Sequence, residues 1–160
     1  MRVMVRIVVI GLLCLAFALG AAAADVPKCL SRDPSDSIEF VAAKAKLSQK
    51  ELLARLVYAE ALSTGIGDDS LVHEAIAWGV MNRVRLAERS DSMKKSYGGG
   101  IRGVIFKKGQ FNPAVSPKSI FSKDFLCPKE RTLWLLASAA AGKAMAGKKN
   151  PFIQTPWEQE

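Results

Sequence analysis

The chain has 160 residues, of which 49% are hydrophobic, and it carries a formal net charge of +8. This composition argues against a disordered segment, which would lack the apolar residues to form a core, and it predicts one compact domain. The basic excess favours an anionic partner.

The first 24 residues have the order of a secretory signal peptide. Arg2 and Arg6 precede an unbroken apolar run over residues 7–19. A run of small residues follows it. We therefore predict a cleaved signal peptide over 1–24 and one exported domain over 25–160, in the periplasm or outside the cell. We expect no stable membrane insertion after cleavage. The alternative is that residues 1–24 are retained as a membrane anchor, because the segment is just long enough to span a bilayer.

The mature chain keeps a basic excess, with 21 basic residues against 15 acidic ones once the two leader arginines are removed. In an exported protein, an acidic cell-wall polymer fits the compartment better than nucleic acid. The sequence lacks an aromatic-rich basic motif, so we predict no nucleic-acid partner. The candidate wall contacts are Lys94, Lys95, Lys107 and Lys108. An ordinary solvated basic surface is the alternative.

Two cysteines, Cys29 and Cys127, remain after removal of the leader. In an oxidising compartment an even number of cysteines predicts one disulfide, which would join the N-terminal segment to the region before the last helix. The alternative is a catalytic cysteine with His73 as its base, but no sequence typical of a nucleophile turn surrounds either cysteine.

Periodicity predicts a helix over 37–47 and two stronger helices after it. Ser48 and Glu51 have the spacing of a capping box, which predicts a helix from this point to about residue 62. The next helix is predicted from Asp69 or Ser70 to about residue 89, with Leu71 and Ala75 among the residues of its apolar face.

The remaining segments are less regular until the end of the chain. Residues 90–100 are predicted to form a flexible basic loop, and 101–111 fit a helix or a strand. Residues 112–127 contain too many prolines for a long helix. Pro128 in a first turn and Gly147 at the end predict a final helix.

Glu60 is the candidate catalytic residue. Leu53 and Val57 precede it at helical spacing, so its carboxyl group is expected on the apolar stripe of the helix. Burial and the negative end of the helix dipole both favour the protonated carboxyl and raise its pKa. A glutamic acid that keeps its proton near neutral pH can protonate a glycosidic oxygen. The alternative is a structural glutamate paired with Arg55 or Arg83.

Metal chemistry is not expected. A zinc amidase or peptidase needs two or three histidine ligands, but the chain has one, His73, and "HEAIA" lacks the second histidine of the HExxH motif. We predict that His73 and Glu74 form a surface pair, and we predict no metal and no cofactor.

Three blocks follow one another between Leu52 and Pro113: "LLARLVYAEA", "EAIAWGVMNRVR" and "IRGVIFKKGQFNP". In this order they resemble the SleB-type cell wall hydrolase family, which includes enzymes that degrade the peptidoglycan cortex of bacterial spores. The resemblance implies a mainly α, compact lysozyme-like domain that acts on peptidoglycan glycan strands. It also implies that Glu60, in the Tyr-Ala-Glu-Ala block, is the catalytic acid.

The same resemblance implies a substrate cleft lined by Gln110 and Phe111 and supported by Tyr58 and Asn82. For Phe111 the alternative is a place in the core, and for Asn82 it is a place on a helix surface. The chain departs from the family at its end, "NPFIQTPWEQE", where members continue with a segment that completes the domain. We expect a monomer.

The choice of reaction depends on a second carboxylate. A retaining hydrolase needs one at ~5 Å from the acid and an inverting hydrolase needs one at ~6.5–9.5 Å. The candidates Asp68, Asp69 and Glu74 are expected at capping or solvated positions. A lytic transglycosylase needs only one carboxyl group, so we predict this reaction. The alternatives are a hydrolase that uses water and a non-catalytic peptidoglycan-binding protein.

Overall fold

The computed structural model describes residues 25–147 and 149–152, so the predicted signal peptide lies outside the described residues. Within these ranges the chain forms eight helices and no strand, which confirms the prediction of a mainly α chain. In the same ranges, no helix is both long and apolar enough to cross a membrane. The helices are α1 (Ile38–Lys44), α2 (Gln49–Ser63), α3 (Ser70–Arg89), α4 (Asp91–Tyr97), α5 (Gly100–Ile105), α6 (Asn112–Val115), α7 (Ser122–Leu126) and α8 (Arg131–Ala146).

Helix α2 is the central element of the fold. It packs against α3, α5, α6, α7 and α8, and every residue from Leu52 to Ala59 is buried. The periodicity predicts one apolar stripe, but this part of the helix is buried on all sides because neighbouring helices surround it. Its start is as predicted: the Ser48 hydroxyl accepts a hydrogen bond from the backbone N–H of Glu51 at 3.1 Å.

Helix α3 begins where the capping residue predicts. The Asp69 carboxylate accepts from the backbone N–H of Leu71 at 2.8 Å, which satisfies one of the free donors of the first turn. Its buried face includes Trp78 and Val84. The prediction that Leu71 and Ala75 belong to this face is wrong, because both are exposed and the buried face begins with His73.

The predicted surface position of His73 is also wrong. The side chain is fully buried, and its Nε2 atom lies 2.6 Å from the backbone carbonyl oxygen of Gly67. This contact ties the start of α3 to the loop that follows α2. His73 therefore holds a loop in place.

Residues 91–97 form a helix, α4, so the prediction of a loop in this segment is wrong. The Ser90 hydroxyl caps the helix by accepting from the backbone N–H of Met93 at 3.2 Å, and no residue of α4 is buried. Local capping therefore begins this helix without support from the core. The segment that fitted a helix or a strand contains the helix α5.

The last helix, α8, begins at Arg131 with Glu130 as its N-cap. Pro128 precedes this start, so its predicted place in the first turn is wrong. Gly147 ends the helix as predicted, and it packs so closely on Trp78 that a side chain would collide with the indole ring. Between α5 and α8, the proline-rich segment forms only the short helices α6 and α7, as predicted.

The first described residues are fastened to α2 and α7 around a buried guanidinium group. Cys29 and Cys127 lie at disulfide distance, with Cα atoms 4.2 Å apart. Beside them the backbone N–H of Leu30 donates to the carbonyl oxygen of Leu126 at 2.9 Å. Arg55 reaches this region from the middle of α2 and donates to the backbone carbonyl oxygens of Lys28, Phe125 and Leu126.

Candidate active site

Glu60 lies in the last turn of α2, where the buried part of the helix reaches the surface. The residue is half-buried and lines a cavity of about 410 Å³. The other walls come from the turn after α5, from α6 and from the segment between α6 and α7. The lining residues are Glu60, Ser63, Gly109, Gln110, Asn112, Pro113, Ser119, Ile120 and Phe121.

A glycine turn brings Gln110 to this cavity. Gly109 has φ of 81°, a left-handed conformation that glycine adopts without strain, and the backbone N–H of Gln110 donates to the carbonyl oxygen of Lys107 at 3.1 Å. The next residue, Phe111, is buried and anchors the turn. The turn therefore places Gln110 in the same cavity as Glu60.

Burial is the main influence on the Glu60 carboxyl group and raises its pKa. The positive charge of Arg83 and the hydroxyl of Ser63 act in the opposite direction and are weaker. The ion pairs among the described residues join Arg55 to Glu51 and Lys143 to Glu74, and neither includes Glu60. The direction of the shift agrees with the sequence argument, and it favours a carboxyl group that keeps its proton to higher pH than an exposed glutamate.

Arg83, whose charge acts on Glu60, lies over the ring of Phe111. Its guanidinium carbon lies 5.1 Å from the centre of the Phe111 ring, and one of its nitrogens donates to the carbonyl oxygen of Gly79 at 3.2 Å. The first distance is within the range of a cation–π contact. Phe111 is 8% exposed and is not among the described residues that line the cavity, so it supports the site from within the core.

Tyr58 and Asn82 are not brought to the cavity. Tyr58 precedes Glu60 by two residues, a rotation of ~200° on a helix, and therefore points to the opposite side of α2. Its buried hydroxyl accepts from the backbone N–H groups of Lys129 at 3.2 Å and Glu130 at 3.0 Å, just before α8. Asn82 is half-buried on α3 and is absent from the cavity walls.

Glu60 is the single carboxylate among the described residues that line the cavity. Asp69 caps α3, and Glu74 accepts from Lys143 at 2.5 Å. Asp68 is exposed and does not line the cavity. These three residues were the candidates for a second carboxylate, and none of them faces Glu60 across the cavity.

Sequence reasoning missed the segment from Ser119 to Phe121, which forms one side of the cavity. Ile120 is 72% exposed and presents an apolar side chain at the surface.

Sequence reasoning also missed Asp124 on α7. Burial raises the pKa of this carboxyl group, and the weaker effects of Lys123 and Lys129 lower it. No local pattern marks these residues, because their place depends on how α7 packs on α2.

No group of three or more histidine, cysteine, aspartate or glutamate side chains is arranged to hold a metal ion within the ranges that the structure describes. The polar groups available at the cavity are instead the Glu60 carboxyl, the amides of Gln110 and Asn112, and the hydroxyls of Ser63 and Ser119. Amides and hydroxyls both donate and accept hydrogen bonds, as the hydroxyl and acetamido groups of a sugar require. The arrangement offers one proton donor surrounded by neutral hydrogen-bonding groups.

Comparison of the chain with protein-family models, with curated proteins and with solved structures finds no match. The resemblance to the SleB-type family therefore rests on the three quoted sequence blocks.

Proposed function

We propose that the protein is a peptidoglycan lytic transglycosylase with a lysozyme-like helical domain and that Glu60 is its general acid and base. One observation carries the proposal: a half-buried glutamate with a raised pKa is the single carboxylate among the described residues that line its cavity. Further support comes from the resemblance of residues 52–113 to cell wall hydrolases and from the predicted export of a basic protein.

The reaction needs one carboxyl group in two protonation states. Protonated Glu60 donates its proton to the glycosidic oxygen, the bond from that oxygen to C1 of the muramic acid breaks, and positive charge develops at C1. The Glu60 carboxylate then takes the proton from the C6 hydroxyl of the same sugar. The C6 oxygen bonds to C1 and closes a 1,6-anhydro ring. Glu60 ends protonated, and no water is consumed.

The cavity fits this chemistry in two respects. The raised pKa keeps a larger fraction of Glu60 protonated near neutral pH, as the first step requires. The amides of Gln110 and Asn112 can hold the hydroxyl and acetamido groups of the sugars on either side of the bond.

A hydrolase would need a second carboxylate to direct water, and the described walls of this cavity supply none.

Mass spectrometry of the digestion products tests the proposal. Purified mature protein, added at a substoichiometric amount, should clear a peptidoglycan suspension and release muropeptides that end in 1,6-anhydro-muramic acid. Reducing ends, heavier by one water, would instead assign a hydrolase. Sedimentation with peptidoglycan without any released product would assign a binding protein.

A further inference from the structure

A second, larger cavity adjoins the one that contains Glu60. It has a volume of about 600 Å³, and it shares two wall residues, Gly109 and Asn112, with the Glu60 cavity. The two cavities therefore meet at the turn after α5. We call the second one the side cavity, and it lies beside a ligand bound at Glu60.

The walls of the side cavity combine apolar surface with positive charge. Phe106, Val115 and Pro117 are among its apolar residues, and the exposed lysines Lys108 and Lys118 line it as well. Its one carboxylate is Glu39, which leaves the described lining with a charge of +1. The Glu60 cavity differs, because its described lining has no basic residue.

This difference in chemistry corresponds to a difference within peptidoglycan itself. The sugars of the glycan strand are neutral and rich in hydroxyl groups. The muramic acid, however, carries a short peptide on its lactyl group, and this stem peptide has free carboxylates and small apolar side chains. Two lysines beside an apolar wall match such a peptide better than they match another neutral sugar.

We propose that the side cavity binds the stem peptide of the muramic acid whose glycosidic bond lies at Glu60. The proposal rests on the proposed function for the identity of the glycan. Lys108 and Lys118 pair with carboxylates of the peptide, and the apolar wall contacts its alanine methyl groups. The protein accordingly prefers glycan strands that carry stem peptides to strands from which an amidase has removed them.

A binding comparison tests the preference without cleavage. The ligands are a peptidoglycan tetrasaccharide with two stem peptides and the same tetrasaccharide after amidase treatment, each titrated calorimetrically into the Glu60→Gln protein. We expect the stem-bearing ligand to bind about 10-fold more tightly, since two partly exposed charge contacts are worth about that much. The double variant Lys108→Gln and Lys118→Gln should reduce the preference to less than about 2-fold and leave the affinity for the stem-free ligand unchanged.

A charge-matched control separates this effect from the general basic charge of the protein. Lys44 and Lys149 are exposed and are absent from the walls of the side cavity. The double variant Lys44→Gln and Lys149→Gln removes the same charge and should keep the preference. Circular dichroism should show an unchanged fold for both double variants, because all four side chains are exposed.

Three results would overturn the proposal: equal affinity for the two ligands, equal weakening of both ligands by the Lys108 and Lys118 substitutions, or no binding of either ligand. Failure of the proposed function would be recognised separately. In that case the wild-type protein would leave both tetrasaccharides uncut, while the preference for the stem-bearing ligand in the Glu60→Gln protein would still support the binding assignment.

Discussion

Two of the charged residues of helix α2, Arg55 and Glu60, lie five positions apart, and their surroundings are opposite. Arg55 is 1% exposed, and its guanidinium group donates to Glu51 at 2.9 and 3.0 Å. It also donates to the carbonyl oxygens of Phe125 at 3.2 Å, Leu126 at 2.8 Å and Lys28 at 2.7 Å. Glu60 is half-buried, forms no ion pair in the described part of the chain, and lines a cavity.

The two residues differ in how completely hydrogen bonds and opposite charges compensate for their burial. A buried charge is tolerated when hydrogen bonds satisfy it, and Arg55 donates to oxygens from three parts of the chain. Burial lowers the pKa of Arg55, while Glu51 raises it. At Glu60 burial is the larger influence, and the opposing effects of Arg83 and Ser63 are smaller. An incompletely compensated carboxyl group beside a cavity is typical of functional sites.

The largest expected effect is the loss of activity in Glu60→Gln. The amide keeps the shape of the side chain but cannot donate the proton, so peptidoglycan cleavage should fall by about 10²–10⁴-fold. The control is Glu74→Gln, which removes a carboxylate paired with Lys143 outside the Glu60 cavity and should retain activity within about 2-fold. A fully active, folded Glu60→Gln protein would contradict the assignment.

The same variant gives a stability test whose sign follows from the raised pKa of Glu60. The folded protein binds this proton more tightly than the unfolded chain does, so the stability due to Glu60 is complete at low pH and is lost as pH rises through the folded pKa. Glu60→Gln has no such loss. Urea unfolding at several pH values should therefore show the variant gaining stability relative to the wild type as pH rises.

Removal of the Cys29–Cys127 bridge should affect stability more than activity. The two cysteines are 98 residues apart in sequence, and a bridge that closes such a loop is worth about 4 kcal/mol in the chain-entropy model. We expect the double serine variant to lose about this much free energy of unfolding and to keep its specific activity at 25 °C within about 3-fold. Two free thiols in the native protein, found by mass spectrometry without a reducing agent, would contradict the pairing.

Substitution of Arg55 should have a similar but smaller effect. Arg55→Met leaves three backbone carbonyl oxygens without this donor and should cost about 3 kcal/mol in free energy of unfolding, measured by urea denaturation. Glu51→Gln is the matched control. It changes a partly exposed partner and should cost about 1 kcal/mol or less. Equal losses in the two variants would show that the carbonyl contacts of Arg55 contribute little.

The smallest expected effect concerns Arg83. Its positive charge lowers the pKa of Glu60, so its removal in Arg83→Gln should raise that pKa further. The acid then stays protonated to higher pH, so the fall of kcat/KM on the alkaline side should occur at higher pH. Arg83→Lys keeps the charge but loses the planar contact with Phe111, and its alkaline limb should stay near that of the wild type. If the alkaline fall of kcat/KM in Arg83→Gln occurred at lower pH than in the wild type, this influence of Arg83 would be contradicted.

The sequence predicted those parts of the fold that depend on neighbouring residues. Ser48 and Asp69 mark the starts of α2 and α3 because their side chains bond to backbone groups two or three residues away. Ser90 has the same role at α4, so that helix could have been found from its capping residue. The lysines and glycines around it instead suggested a loop.

Local sequence patterns did not predict contacts between residues that are distant in the chain. Tyr58 holds the start of α8 through backbone groups more than 70 positions away, and His73 is buried by the packing around it. For the candidate site, Glu60 and Gln110 were predicted together, but the segment from Ser119 to Phe121 was not. Its position depends on the packing of α7, which periodicity does not determine.

The most direct test of the account is an NMR titration of the Glu60 side-chain carboxyl carbon in the folded protein. We predict a pKa above the ordinary value of 4.5 for a glutamate and a fall in kcat/KM at alkaline pH with the same midpoint. A Glu60 carboxyl that titrates at or below that ordinary value, or a limb that stays in place when Arg83→Gln moves the Glu60 titration, would contradict the claim that this proton drives cleavage.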